Sequence, residues 1–456
     1  MRLSRRTALR SFGGLAALST LPAAARAHPG DSTDGNDSAD GTTHADGLAP
    51  RGSLAVEGTT DAVVSENTVY VAASDGFAVV DVADPANPTL LAERRGLLSD
   101  RENGPLQQVY DTTVDGDRLL VAGPAHPPSG DALMGAALYD VADPANPTLL
   151  RFHETDYPVH NCFLREGVAY LTGNDGARNP LVLVDVSQDA TPELARWSVV
   201  DANEAWRDVP SALRVVHDVT VDDGVATLSY WDAGTWLLDV SDPANPRPLG
   251  HTSHYEPSEL TPTGNSEVFQ LPGNAHYAQR RDGLLVVGRE AWDVDQNDSR
   301  DGGPGGIDLY DAADPEHVTH LASISAPPTS DPTYGGVWTT AHNFDVVGPR
   351  LYTSWYQGGV KVYDISDPAA PEELGHFRDS SQFAFWTAQR ADACTVATSW
   401  HGPSGDLAAG VYTFPTLERT TTRPATSDGP VPGFGVGTAL AGLGAGAAAK
   451  WWRGRE

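Results

Sequence analysis

The sequence contains very little lysine and cysteine. Only Lys361 and Lys450 are lysines, and only Cys162 and Cys394 are cysteines. Two cysteines cannot form the set of disulfides that stabilises many small secreted domains. The 61 Asp and Glu residues outnumber the 30 Lys and Arg residues and give a net charge of −31. This charge has the wrong sign for electrostatic binding to nucleic acid or to an anionic membrane surface, and it excludes both functions.

Long apolar runs with helical periodicity are also missing from the central region. The apolar runs there are short, rich in Val, Leu and Tyr, and separated by Gly, Asp and Pro, which is typical of β-strands. Hydrophobic residues still make up 40% of the 456 residues, so global disorder is excluded. Strong acidity with almost no lysine resembles proteins of extreme halophiles, in which salt screens the repulsion between surface carboxylates. An ordinary acidic secreted protein is the alternative.

The N-terminus carries a targeting pattern rather than part of a fold. Residues 4–9 read Ser-Arg-Arg-Thr-Ala-Leu and precede a modest apolar stretch and a small-x-small sequence at residues 25–27. This pattern resembles a twin-arginine export signal and predicts a signal peptide over residues 1–27. Residues 28–50 are mostly Asp, Gly, Ser and Thr, and we expect them to be a disordered acidic spacer.

A second tripartite pattern occupies the C-terminus. A Thr/Pro-rich linker at residues 420–431 leads to Pro-Gly-Phe at residues 432–434, then to an apolar Gly/Ala-rich run and basic residues. It resembles the Pro-Gly-Phe sorting signals of haloarchaeal surface proteins, which implies that an archaeosortase replaces the tail, residues 432–456, with a lipid anchor. A simple membrane tail is the alternative, although the run is shorter than the ~20 apolar residues of a stable span. Either arrangement would tether the protein outside the cell.

One phrase recurs along the middle of the chain. Val-Val-Asp-Val-Ala-Asp-Pro-Ala-Asn-Pro at residues 79–88 returns in closely similar form at residues 138–147, and weaker copies follow further on. Each unit contains four short strands, and the Asp-Pro phrase suits the turn between the third and the fourth. Seven units over residues 51–419, the last of them degenerate, predict an all-β fold, a seven-bladed β-propeller of four-stranded blades. The apolar strand at residues 54–56 precedes the first unit and is predicted to complete the seventh.

The phrase resembles the LVIVD-type repeat of archaeal and bacterial surface proteins. The resemblance covers nearly the whole chain between the predicted signal peptide and the C-terminal tail. It implies the propeller fold and says almost nothing about function.

Aligning the units on their second strands brings polar residues to one position at the start of the innermost strand. The residues at this position are His160, His217, His276, His342, Asp61 and Asp111. Equivalent inner-strand positions of a propeller form a circle around the central channel, and imidazole suits Cu, Zn, Fe or Ni. The sequence therefore suggests a transition-metal site at the mouth of the channel, similar to the histidine ring of the nitrous oxide reductase propeller. The alternative is that each His only hydrogen-bonds the backbone of a neighbouring blade.

The long loops are predicted to open on the same side of the propeller as this circle. Insertions follow the second strand at residues 123–134, 173–180, 290–306 and 401–407. Aromatic residues cluster near the same rim, where they suit a glycan or a small polar ligand. These residues are Tyr230, Trp231, Trp292, Trp355, Tyr356, Trp386 and Trp400. Packing between blades is the alternative for each of them.

Residues 293–297 read Asp-Val-Asp-Gln-Asn, which resembles the opening of a calcium loop. The EF-hand pattern then fails, because Asp298 and Pro304 stand where Gly and Glu are needed. Ca²⁺ is therefore a weaker cofactor prediction than a transition metal, and an acidic surface loop is the alternative.

Two functions are compatible with these patterns. The first is an exported, surface-tethered, monomeric propeller that binds a surface glycan, a small polar ligand or another cell-surface protein. Such a protein would contact the membrane only through its tail or lipid anchor. The second is a metal-dependent enzyme, an oxidoreductase, with its metal at the His/Asp circle. Bound metal in natively purified protein would distinguish them.

Overall fold

Seven antiparallel sheets make up the part of the chain that the computed structural model describes, residues 43–44, 47–265, 267–294 and 302–417. Within the sheets, strands that are consecutive along the chain lie side by side. The first strands of successive sheets contact one another, so they form the inner wall of a ring. The predicted seven-bladed β-propeller of four-stranded blades is confirmed. The predicted signal peptide, linker and C-terminal tail lie outside the described residues.

Each of the first four blades has four strands, named in order from the channel outward. Blade 1 contains Thr59–Ser65, Thr68–Ala73, Gly76–Asp81 and Thr89–Arg95. Blade 2 contains Asp111–Asp115, Arg118–Gly123, Gly135–Asp140 and Thr148–Glu154. Blade 3 contains Val159–Arg165, Val168–Gly173, Leu181–Asp185 and Glu193–Trp197. Blade 4 contains Asp218–Asp222, Val225–Ser229, Thr235–Asp239 and Arg247–Thr252.

The last three blades follow the same order. Blade 5 contains Ala275–Arg281, Leu284–Arg289, Ile307–Asp311 and Thr319–Ile324. Blade 6 contains Phe344–Val347, Arg350–Ser354, Val360–Asp364 and Glu372–Arg378, with Thr43–His44 added at its outer edge. Blade 7 contains Ala384–Arg390, Thr395–Trp400 and Gly410–Phe414, and its fourth strand is Gly52–Ala55.

The N-terminal strand closes the ring, as predicted. Gly52–Ala55 pairs antiparallel with residues 410–413, and Arg51 N–H donates to the carbonyl of Thr413 at 2.7 Å. Gly410 has φ +150°, and a Cβ there would lie 2.4 Å from the carbonyl oxygen of Leu54, so this close approach requires glycine. The strand order of blade 7 therefore joins the two ends of the propeller.

The recurring Asp-Pro phrase forms the turn between the third and fourth strands. In blade 1, Asp84 accepts hydrogen bonds from the N–H of Ala86 at 3.1 Å and from Nδ2 of Asn87 at 2.9 Å. Asp143 makes the same two bonds in blade 2, to Ala145 and Asn146. The phrase recurs because its aspartate caps this turn.

Apolar side chains pack between neighbouring blades and around short helices in the long links. One cluster joins blades 1 and 7 through Val69, Val71 and Val396, all buried. The helices are Val199–Ala202 and Pro257–Leu260, and the 3₁₀ turns are Glu204–Asp208, Ser211–Leu213 and Thr261–Thr263. In the described part of the chain, no helix has the length and apolar character needed to cross a bilayer.

The described packing begins a few residues before the predicted boundary at residue 51. Leu48 is 1% exposed and packs with Val360 and Phe377 of blade 6. The predicted boundary assigned Leu48 to the spacer, because one leucine does not stand out in the acidic composition of residues 28–50.

Candidate functional site

The four predicted histidines lie next to one another at the start of the inner strands. His160 and His276 are the second residues of the inner strands of blades 3 and 5, whereas His217 and His342 stand just before those of blades 4 and 6. Ring centroids are 4.2 Å apart between His160 and His217, 4.0 Å between His217 and His276, and 4.4 Å between His276 and His342. The four histidines therefore form a continuous row of imidazoles.

Three of these imidazoles also form hydrogen bonds with backbone carbonyl groups, as the alternative interpretation proposed. Nδ1 of His160 lies 3.1 Å from the carbonyl oxygen of Ala125, and Nδ1 of His217 lies 3.2 Å from that of His276. Nδ1 of His342 lies 2.6 Å from the carbonyl oxygen of Trp386. A neutral imidazole that donates from Nδ1 keeps its lone pair on Nε2. The backbone bonds thus fix the ring orientation and leave Nε2 as a potential metal ligand, so the two interpretations are compatible.

Burial keeps the rings of His160, His217 and His342 neutral. Burial, with a further contribution from His126, lowers the pKa of His160 to about 3. Burial and then His276 lower the pKa of His342 to about 3, and the pKa of His217 is also well below its ordinary value. Neutral imidazole is the form that binds metals.

Glu290 joins two of the histidines in a buried cluster. Its Oε2 lies 3.0 Å from Nδ1 of His276, and its Oε1 lies 4.0 Å from Nε2 of His342. One ligand atom from each of the three side chains lies within 4.8 Å of the others. Tyr356 donates its hydroxyl to Oε1 of Glu290 at 2.5 Å. Burial would raise the pKa of Glu290, but His276, His342 and Tyr356 together lower it to about 2, so it is ionised at neutral pH.

His276 is the least satisfied member of this cluster. It is 2% exposed, its Nδ1 lies at ion-pair distance from Oε2 of Glu290 at 3.0 Å, and its Nε2 has no hydrogen-bond partner among the described residues. A buried ring nitrogen without a partner is costly. A cation shared with Glu290 and His342 would satisfy it.

Glu290 was not among the predicted ligands, although the repeat contains a signal for it. It lies six residues after the first residue of the second strand of blade 5, Leu284. The same count gives Trp231 in blade 4 and Tyr356 in blade 6, which were predicted as rim aromatics. A charged residue at a position that is aromatic in neighbouring blades distinguishes Glu290.

Asp61 and Asp111 do not share the position of the histidines, and this part of the alignment was wrong. The second strands of blades 1 and 2 begin at Thr68 and Arg118, one residue earlier than the alignment assumed. Strand pairing therefore places Asp61 and Asp111 level with Asp218, which directly follows His217. The two aspartates form a second layer with Asp218, next to the histidine row.

The three aspartates of this layer are buried and hydrogen-bonded. The second carboxylate oxygen of Asp61 accepts from Asn343, that of Asp111 from the N–H of Cys162, and that of Asp218 from Asn161. Burial raises the pKa of Asp111 to about 6 and raises those of Asp61 and Asp218 well above the ordinary value, with Asp111 adding repulsion to both. In the described chain, no Lys or Arg forms an ion pair with these three carboxyl groups.

A small cavity lies between the two layers. It has a volume of about 10 Å³, and its walls include all four histidines, Asp61 and Asn343. A water molecule needs ~10–15 Å³. The cavity is therefore of the size of one water molecule or one ion. Asp111 is not part of its wall.

Five of the predicted rim aromatics surround this site, and two do not. The centroid of His342 lies 4.5 Å from those of Tyr356 and Trp386, and Trp231 stacks on His217 at 6.1 Å. Trp292 and Trp400 extend the cluster, together with Trp338 and Tyr334, which were not predicted.

Tyr230 and Trp355 were predicted as rim aromatics, but they do not lie at the rim. Both are fully buried, Tyr230 against Trp197 and Trp355 in the core between blades 5 and 6. The hydroxyl of Tyr230 donates to the carbonyl of Asn179, so the polar end of this side chain is also bound within the contact between blades. The predicted calcium loop lies mostly in residues 295–301, outside the described residues.

A larger groove lies beside blade 5, and none of the four histidines is among its lining residues. It has a volume of about 540 Å³ and is lined by Arg289, Asp308 and the segment 325–329. This volume falls in the ~300–1,000 Å³ range of small-molecule sites. Arg289 is already paired with Asp308 at 2.7 Å, so the groove offers a ligand few free charges.

Strand order and site together define the class: a seven-bladed β-propeller with a buried histidine–glutamate cluster in its channel. Residues 58–93 and 341–379 match the LVIVD repeat, so the resemblance noted in the sequence is confirmed for these two units. A search of curated protein sequences finds no match.

Solved structures are similar in fold at low sequence identity. The β-propeller domain of Cps50 (Swd1) from Myceliophteria thermophila has a TM-score of 0.53 and 10% identity, covering 81% of this chain and 100% of that chain. A chain of the mitotic checkpoint complex has a TM-score of 0.50 and 11% identity, covering 86% and 100%. The WD40 β-propeller domain of Doa1 has a TM-score of 0.48 and 11% identity, covering 82% and 98%. Similarity at this identity shows the fold alone.

Proposed function

We propose that this protein is an exported, surface-tethered binding module that holds one transition-metal ion in its channel. His276, Glu290 and His342 are the proposed ligands. The observation that carries the proposal is the buried His276, whose Nδ1 lies 3.0 Å from the ionised Glu290 and whose Nε2 lacks a hydrogen-bond partner among the described residues. A divalent cation would satisfy the imidazole and balance the buried carboxylate.

The donor atoms indicate the class of metal. Two imidazoles and one carboxylate suit Zn²⁺, Cu²⁺, Fe²⁺ or Ni²⁺ better than Ca²⁺, which prefers six to eight oxygen ligands. His217 lies next to His276 in the row and is the nearest further imidazole.

The size of the cavity favours binding over turnover of an organic substrate. A volume of about 10 Å³ accommodates an ion or a water molecule, and His276, Glu290 and His342 are each at most 9% exposed. A small-molecule pocket is ~300–1,000 Å³. The cavity beside His276 and His342 is therefore too small for an organic substrate.

A metal-dependent oxidoreductase is the second candidate. Two histidines and one carboxylate are also the ligand set of non-haem iron oxygenases. Tyr356, bonded to Glu290, would supply a hydroxyl next to the metal. The cavity restricts a directly bound substrate to a molecule of about the size of water.

The partner and the location of the protein are proposed from the fold and the ends of the chain. Propellers often serve as binding platforms, and the similar chain from the mitotic checkpoint complex is part of an assembly, which supports a protein partner. A surface glycan or a small polar ligand remains an alternative occupant of the aromatic rim. The twin-arginine pattern and the Pro-Gly-Phe tail support export and tethering.

The test compares Zn²⁺ affinity, by calorimetry on protein stripped of metal in high salt, between wild type and two variants. Glu290→Gln preserves the shape of the side chain and removes its charge, and we expect it to weaken binding by ~100-fold. Glu154→Gln makes the same change on an exposed outer strand and should leave affinity unchanged. Equal binding by all three proteins, or none by wild type, would refute the proposed site.

A further inference from the structure

A fifth histidine extends the row to the protein surface. His126 lies in the loop that follows the second strand of blade 2 and is exposed. Its ring centroid is 5.1 Å from that of His160 and 5.6 Å from that of Tyr110, and its backbone N–H donates to Oε1 of Gln108 at 3.0 Å. The loop is thus held where it places an exposed imidazole next to the buried row.

We infer that His126, His160 and His217 form a path along which a metal ion passes from solvent to His276, Glu290 and His342. The inference rests on the proposed metal site. Centroid separations along the row are 5.1, 4.2 and 4.0 Å, so an ion can bind the next imidazole before it leaves the previous one. A path of ligands avoids the cost of a bare cation in a buried channel.

The orientation of the intermediate rings supports transfer. His160 and His217 hold their Nδ1 atoms against the carbonyls of Ala125 and His276, so Nε2 is the nitrogen left for a cation. Both residues line the small cavity that also contains His276 and His342. The cavity therefore connects the path with two of the three proposed ligands, while Glu290 does not line it.

The rim above Glu290 offers a poorer route. Trp292, Trp338 and Tyr356 pack there with centroids 4.7 and 5.2 Å apart, and none of the three is more than 7% exposed. A hydrated cation would have to displace these rings. The aspartate layer lies on the other side of the cavity, and its carboxyls provide the competing route that the experiment must distinguish.

A path and a ligand have different kinetic signatures. A residue that only lowers the barrier for passage changes loading and release by the same factor and leaves the equilibrium affinity unchanged. A ligand changes the affinity itself. His126 is expected to behave as the first kind and Glu290 as the second.

The test uses stopped-flow measurement of Cu²⁺ binding to metal-free protein, read by quenching of tryptophan fluorescence, since Trp386 lies 4.5 Å from His342. Release into a chelator and affinity at equilibrium are measured on the same samples. His126→Gln should slow loading and release by about tenfold each, at unchanged affinity. The matched control is His317→Gln, a histidine on the exposed turn after the third strand of blade 5, which should change neither rate.

The outcomes separate this inference from the proposed function. Loading of His126→Gln at the wild-type rate, or a loss of affinity without slower loading, would overturn the path and leave the metal site intact. Slower loading in Asp111→Asn with normal loading in His126→Gln would show that the ion arrives through the aspartate layer, which also overturns it. An absence of binding by wild type would instead refute the metal site.

Discussion

The aspartate layer predicts an unusual dependence of stability on pH, and Asp111→Asn tests it. Asp111 is 7% exposed, and its Oδ2 accepts the N–H of Cys162 at 2.7 Å. Burial raises its pKa to about 6 from an ordinary value of 3.8. The folded protein therefore favours the protonated carboxyl, and it binds this proton more tightly than the unfolded chain does.

The sign and size of the effect follow from this difference. Because the folded pKa is the higher one, the stabilisation is complete below pH ~4 and is lost as pH rises through about 6. A shift of about two pKa units corresponds to about 3 kcal/mol at 1.36 kcal/mol per unit. The amide that replaces this carboxyl cannot ionise, so the variant lacks this loss.

The assay is guanidinium unfolding of both proteins in high salt at pH 4.5 and pH 8. We expect Asp111→Asn to be less stable than wild type at pH 4.5 by the ~1 kcal/mol of a lost hydrogen bond, and to gain relative stability by about 2 kcal/mol at pH 8. Asp84→Asn is the control, because hydrogen bonds from Asn87 and Ala86 lower the pKa of this exposed carboxyl and reverse the sign. A difference between Asp111→Asn and wild type that does not change with pH would refute the assignment of a raised pKa.

Three further predictions concern the fold, the salt dependence and export. Deleting residues 52–55 removes the outer strand of blade 7 and should lower stability by about 3–5 kcal/mol, measured as a lower melting temperature; an unchanged melting temperature would show that the strand does not close the ring. Dialysis to low salt should unfold a chain of net charge −31, and circular dichroism measures this loss of structure. Full β-structure in dilute buffer would contradict the halophile interpretation. Replacing Arg5 and Arg6 by Lys should block export, assayed by cell fractionation, and normal secretion would show that the N-terminal pattern was misinterpreted.

The fold could be predicted from the sequence because the repeated phrase shows where each blade lies along the chain. The Asp-Pro phrase marks one turn in each blade, and Asp84 and Asp143 cap that turn in the same way. The closing strand was predictable because residues 54–56 are apolar and lie outside the first unit. The packing of Leu48 was not, because one leucine in an acidic stretch has no periodic pattern.

The site could be predicted only in part. Counting from the second strand located the four histidines because the hairpin between the first and second strands is short and regular. A one-residue error in where that strand begins was enough to misplace Asp61 and Asp111. Glu290 contacts the histidines from the end of a different strand, and the distance between them is set by the closure of the ring. His126 comes from an irregular loop, whose path no repeat specifies.

The central claim is that one transition-metal ion occupies the space between His276, Glu290 and His342. Anomalous diffraction from crystals of natively purified protein, recorded above and below the absorption edge of the metal found in the sample, tests it most directly. The predicted result is a single peak within ~2.0–2.3 Å of a nitrogen from each histidine and an oxygen of Glu290. A map without a peak at this cluster, or with its only peak elsewhere, would contradict the claim.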